Sequence, residues 1–132
     1  MANSFSTLVR TDNVQNVITR AGASAKWKFY NGTQPATAGT ALSGNTLLGF
    51  VTSPTVIGTA ASGVLDIDEA GITQVNTAHV AGTATFVDLT TSADVVVARL
   101  TLGGAGNLAI SGPIVNGQNI NFTAPVTITA GA

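Results

Sequence analysis

The densest group of ionisable residues in the chain is Asp66-Ile67-Asp68-Glu69. In an extended segment Asp66 and Asp68 fall on the same face, where paired carboxylates could hold a hard cation such as calcium. Calcium takes about six to eight oxygen ligands, and the glycine that an EF-hand loop needs at its sixth position is missing here. These acids are therefore expected on an exposed strand face or edge, where charge blocks unwanted pairing. His79 is the single histidine, which leaves no multi-histidine zinc site within one chain. A catalytic triad would need His79 beside a Ser or Thr and an acid. No Gly-x-Ser-x-Gly elbow occurs, and Ser62 in Ala61-Ser62-Gly63 reads as turn chemistry.

Lys26-Trp27-Lys28-Phe29-Tyr30 mixes basic and aromatic residues, a combination that single-strand nucleic-acid grooves use. Strand alternation separates them: Trp27 and Phe29 share a face with Ala25, while Lys26, Lys28 and Tyr30 take the other. Trp27 and Phe29 are expected in the core, and five basic residues in all are too few for a nucleic-acid groove. The glycines of Leu102-Gly103-Gly104-Ala105-Gly106 precede no helix and carry no Lys-Ser/Thr, so they form no phosphate loop. Asn31-Gly32-Thr33 and Asn121-Phe122-Thr123 match a glycosylation sequon, which matters only in a eukaryotic secretory setting. No catalytic residue, cofactor or metal is expected.

The elements that would position these residues are mostly strands. One stretch reads as helix, Asp12 to Gly22, because Val14, Val17, Ile18 and Ala21 fall at i, i+3, i+4 and i+7. Asp12 is the expected N-cap with Gln15 in a capping-box position, Gly22 suits the C′ position, and Arg20 lies near the negative end of the dipole. At about ten residues such a helix must dock on a sheet to be stable. Thr-, Val- and Ile-rich runs then predict strands at Ala25–Tyr30, Thr46–Val51, Thr55–Ile57, Gly63–Asp68, Ile72–Val75 and Val80–Leu89. Further runs are Asp94–Leu102, Leu108–Ser111, Gln118–Thr123 and Val126–Ala130. Turn signals separate them at Asn31-Gly32, Ser43-Gly44-Asn45, Gly103-Gly104 and Asn116-Gly117, the last being the best two-residue type I′ hairpin candidate. Short strands at this spacing without βαβ alternation argue for an all-β fold. The expectation is a β-sandwich or jelly roll, one domain over residues 1-132, with an arm at residues 1-9 and a short N-terminal helix at 12-21.

Composition narrows the function classes. Charged residues are 8% of the chain and hydrophobic ones 45%, against about 25% charged in ordinary soluble domains. The solvent face must then be largely Thr, Ser, Asn, Gln, Gly and Ala, which gives copies little mutual repulsion and favours association. A net charge of −1 offers no field for nucleic acid or anionic lipid. The absence of cysteine excludes disulfides, no apolar run approaches the ~20 residues of a membrane span, and Met1 to Arg10 lacks the pattern of a signal peptide.

Order and motif together resemble a known group. Arg10 and the helix are followed by Gly22, then Lys28-Phe29-Tyr30-Asn31-Gly32, Pro35-Ala36 and Gly44-Asn45-Thr46-Leu47-Leu48. Ala81-Gly82-Thr83-Ala84-Thr85-Phe86 and Asn116-Gly117-Gln118 come later. Over most of its length the chain resembles small tailed-bacteriophage virion structural proteins of the head decoration or cement type. Phe29-Tyr30-Asn31-Gly32 departs mildly from that group's aliphatic-Tyr-Thr-Gly. The resemblance implies a non-enzymatic protein of the virion, assembled in the bacterial host cytoplasm. Its partners would be the major capsid protein lattice or other virion proteins, and it would act as a symmetric homo-oligomer such as a trimer. The alternatives are a phage tail or fibre component and a carbohydrate-binding jelly-roll module, for which Tyr30 is the main stacking candidate. Expected protein contacts are Phe5, Leu8 and Val9 in the N-terminal segment, which have no assigned place in the sandwich, and Pro35 in the loop from Thr33 to Leu42.

Overall fold

In the computed structural model, which describes residues 4–53, 55–68, 72–74, 80–102, 108–110, 112–123 and 127–129, helix α1 spans Thr7–Ala21. It begins five residues before the expected Asp12. Ser6 is the N-cap: its backbone is extended, its Oγ accepts the Val9 N–H at 3.3 Å, and its carbonyl accepts Arg10 N–H at 3.0 Å. Asp12 sits inside the helix, and the supposed arm of residues 1-9 is helical from Thr7. The early turns escape an apolar-periodicity reading because hydroxyls anchor them. The Thr11 hydroxyl donates to Thr7 O and accepts the Gly63 N–H, both at 2.8 Å. Val14, Ile18 and Ala21 are the buried stripe, and Gly22 ends the helix at φ +67 with its N–H on Ile18 O.

Two antiparallel sheets carry the rest. The first has β1 (Lys26–Tyr30) at its centre, with β2 (Leu47–Thr52) and then β5 (Thr73–Gln74) on one side and β6 (Phe86–Thr90) and then β7 (Val96–Thr101) on the other. The second pairs β3 (Gly58–Ala61), β4 (Val64–Ile67) and β8 (Thr127–Thr129) in that order. Trp27 and Phe29 face inward opposite Val51 and Gly49 of β2 and Leu89 and Val87 of β6. They join Leu65, Ile67 and Ile57 from the second sheet region, together with the helix stripe, in one apolar cluster. Phe122 closes it with its ring 5.8 Å from Trp27 and 5.9 Å from Phe29. The Trp27 Nε1–H, sealed from water, donates to Ser53 Oγ at 2.9 Å.

Several strand expectations shrink. Val80–Leu89 is strand only from Phe86, and residues 80–85 instead reach other segments, with Val80 N–H on Leu48 O and Gly82 bridging Ile114. Leu108, Ile110 and Phe122 make isolated bridges where Leu108–Ser111 and Gln118–Thr123 were expected as strands. Thr55–Ile57 is a bend, and β3 follows it. Val75, the Gly103-Gly104 turn, Ser111, Val126 and Ala130 lie outside the described residues.

The I′ hairpin also sits elsewhere. Ser62 and Gly63 both have positive φ, +51 and +77, and join Ala61 to its partner Val64. At Asn116-Gly117 only Gly117 has positive φ, +81, with Gln118 N–H on Val115 O at 3.1 Å. That pattern is a type II turn, whose twist splays its flanks, and no ladder forms across it.

Candidate functional site

The outer face of the five-stranded sheet carries Lys26, Lys28, Asp88 and Arg99. Lys26, Lys28 and Tyr30 stand beside Thr90, Asp88 and Phe86 of β6, and Asp88 and Phe86 in turn oppose Arg99 and Thr101 of β7. Arg99 grips Asp88 with two parallel bonds, Nε to Oδ1 at 2.6 Å and Nη2 to Oδ2 at 2.8 Å. Their side chains are 3% and 2% exposed. The remaining Nη1 donates to Thr37 O at 2.8 Å and Thr40 O at 3.0 Å. The Arg99 guanidinium also lies over the Phe86 ring, which stacks on Tyr30 at 5.4 Å. Hydrogen bonding to Asp88 is the main reason the guanidinium holds its proton even more firmly than usual. Burial, then Asp88, pushes the Tyr30 phenol up.

This cluster is a latch. The loop between β1 and β2 is drawn down onto the sheet by Arg99. It is fixed again by Thr101 Oγ1 donating to Gln34 Oε1 at 2.8 Å and by Asn45 Nδ2 donating to Asn31 O at 2.8 Å and Thr33 O at 3.0 Å. Thr33 to Leu42 is thus tied back to the sheet through Thr33, Gln34, Thr37 and Thr40, with Pro35 half-buried within it. Tyr30, at 8% exposure beneath Phe86, offers no open ring face for stacking a sugar.

A second ionic group sits at the β6–β7 turn. Asp94, held at φ +67, accepts Lys26 Nζ at 2.9 Å and Lys28 Nζ at 2.8 Å. Hydrogen bonds from Lys28, then Lys26, lower its carboxyl from 3.8 to about 2. The two lysines thus share one carboxylate within the fold. Asp66 is exposed on β4 opposite Thr59 and Thr127, and Asp68 is exposed just beyond the strand. Glu69 and His79 lie outside the described residues. Among the described residues no three His, Cys, Asp or Glu side chains are grouped to hold a metal ion, and no helix is long and apolar enough to cross a membrane.

The start of α1 is different in kind. Phe5, Leu8 and Val9 are 54%, 79% and 41% exposed. At 100° per residue, Leu8 and Val9 point roughly 120° and 140° away from the buried Val14. They form an outward apolar group at the end of a helix whose other side is docked. The sequence reading had no signal for a second apolar feature, a groove of about 490 Å³ between α1 and β7 lined by Val17, Val95, Val96 and Val97 with Asn16, Arg20 and Thr91. The valine run was legible as strand, but its position at the sheet edge depends on topology. No protein-family model, curated protein or solved structure matches this chain.

Proposed function

We propose that this chain is a non-enzymatic structural protein of a tailed-phage virion, a decoration or cement protein that docks as a homo-oligomer on the major capsid protein lattice and stabilises the head. The observation that carries this reading is the outward group of Phe5, Leu8 and Val9 on a surface with very little charge. Apolar side chains that the fold leaves in water are stabilised by contact with a partner, and charge-poor surroundings let that partner approach. The two antiparallel sheets are read as a β-sandwich of the jelly-roll kind. Several identical weak contacts, once copies are joined, sum to tight attachment to a repeating lattice.

The test uses purified particles. Mass spectrometry and cryo-EM are expected to find many copies on the head. Leu8→Asp should lower occupancy while leaving the melting temperature of the free protein nearly unchanged, since an exposed substitution shifts stability by only about ±0.5 kcal/mol. Absence from particles, or a copy or two per particle, refutes the lattice role. Many copies confined to the tail would favour the tail or fibre reading instead.

A further inference from the structure

Two asparagines in the sequence precede glycine, Asn31 and Asn116, and the fold treats them in opposite ways. Asn31 is half-buried, and its Oδ1 accepts the Thr46 N–H at 2.7 Å. Its N–H donates to Thr46 O at 3.2 Å and its carbonyl accepts Asn45 Nδ2 at 2.8 Å. Even the next carbonyl, Gly32 O, is held by Thr85 Oγ1 at 2.6 Å. Asn116 lies in a run, Val115–Asn119, that is exposed throughout. Among the described residues no group holds its side-chain amide, and no carbonyl accepts the Gly117 N–H, because the turn is closed by Gln118 N–H instead. A Cβ added at Gly117 would meet nothing within 4 Å, so the glycine has open space beside its Cα.

We propose that Asn116 is a self-modification site of the folded protein, converting spontaneously to aspartate and isoaspartate, while Asn31 is protected by its hydrogen bonds. The Gly117 backbone nitrogen, losing its proton to hydroxide, attacks Asn116 Cγ. The new C–N bond forms as the bond to Nδ2 breaks, and Nδ2 leaves as ammonia. Water then opens the cyclic imide at either carbonyl, so the net change is amide plus water to acid plus ammonia. The attack requires an Asn side chain free to rotate onto an unhindered following nitrogen. Asn31 cannot rotate without releasing Thr46, so it reacts only from locally opened molecules. The product places a new negative charge on a chain of formal net charge −1, in a turn flanked by Val115, Gln118 and Asn119. The inference is independent of the virion reading.

Folded protein held in mildly alkaline buffer is sampled over time, digested, and the peptides bearing Asn31 and Asn116 are followed by mass spectrometry. Asn116 is expected to convert, with both acid isomers present, at least about a hundredfold faster than Asn31. In denaturant the two should convert at comparable rates. The acidic form seen on ion exchange should vanish in Asn116→Gln. Conversion of Asn31 at the rate of Asn116 in the folded state overturns the proposal. So does an Asn116 that stays intact while the denatured control reacts, or an acidic form that persists in the Gln variant.

Discussion

Replacing Arg99 by Met removes the latch while keeping most of the apolar stem. Asp88, 2% exposed at its side chain, is then left as a buried carboxylate without its bidentate partner. Breaking a buried pair from one side costs about 3–5 kcal/mol, a large part of the ~5–15 kcal/mol that holds a domain together. With an m-value near ~2 kcal/mol/M, the urea midpoint should fall by roughly 2 M. The double variant Asp88→Leu with Arg99→Met removes both charges and should recover most of the loss, since a buried pair is worth little net against apolar replacements. It should not recover the anchoring of the loop, because the bonds from Nη1 to Thr37 O and Thr40 O are gone in both variants. Urea denaturation of the two single variants and the double variant gives the coupling energy, and limited proteolysis reads the loop separately. A loss below about 1 kcal/mol for Arg99→Met, the range of exposed ion pairs, would refute the reasoning. So would early cleavage between Thr37 and Leu42 in neither variant.

Trp27→Ala should cost ~3–5 kcal/mol, and Ser53→Ala, which orphans the indole N–H, about 1–3 kcal/mol; the native protein should show the fluorescence of a shielded indole, and a fully hydrated emission maximum would contradict this. Asp94 has a folded pKa of about 2, below its ordinary 3.8, so its contribution to stability is present above pH ~4 and is lost as pH falls towards ~2. Asp94→Asn, which tolerates the same left-handed backbone, should flatten that part of the acid titration of stability measured by thermal melts. Ser62→Asn installs the preferred Asn-Gly pair in the β3–β4 turn and should stabilise by up to about 1 kcal/mol; a lower melting temperature would argue against a type I′ turn there.

Legibility in the sequence followed the residues that carry strong local signals. Alternation placed Trp27 and Phe29 inward and the two lysines outward, and the β-branched run of β7 marked a strand. β3 was invisible because Gly58-Thr59-Ala60-Ala61 has no apolar alternation and Thr59 alone as a β-former. Its Gly58 is there for close packing, since a Cβ would overlap the Asp66 carbonyl. The helix start was misread because its anchor is polar, Ser6 as cap and Thr11 bound to the β3–β4 turn, whereas periodicity detects only apolar docking. At Asn116-Gly117 the positive φ of the glycine was readable, but that Asn116 does not share it, so that the turn is type II and not type I′, was not. Phe5, Leu8 and Val9 could be singled out because they had no assigned place in the sandwich. The Arg99–Asp88 latch could not, since the pairing of the two residues appears only once the β6–β7 register is fixed.

The strand order has a consequence for the chain as it is made. β1 is central, yet one of its two neighbours, β6, begins 56 positions after the end of β1 at Tyr30, at Phe86. A nascent chain that has emerged only through β5 therefore presents β1 with one edge unpaired, and Trp27 and Phe29 have no Val87 and Leu89 beside them. The β3–β4 hairpin can close locally, but it gains its third strand only when Thr127–Thr129 arrives to pair with Val64–Asp66. Such long-range pairing must wait for the later strands, which synthesis delivers at only about 5–20 residues per second. During that interval the exposed edge of β1 is the part of the molecule most open to mispairing with another growing copy.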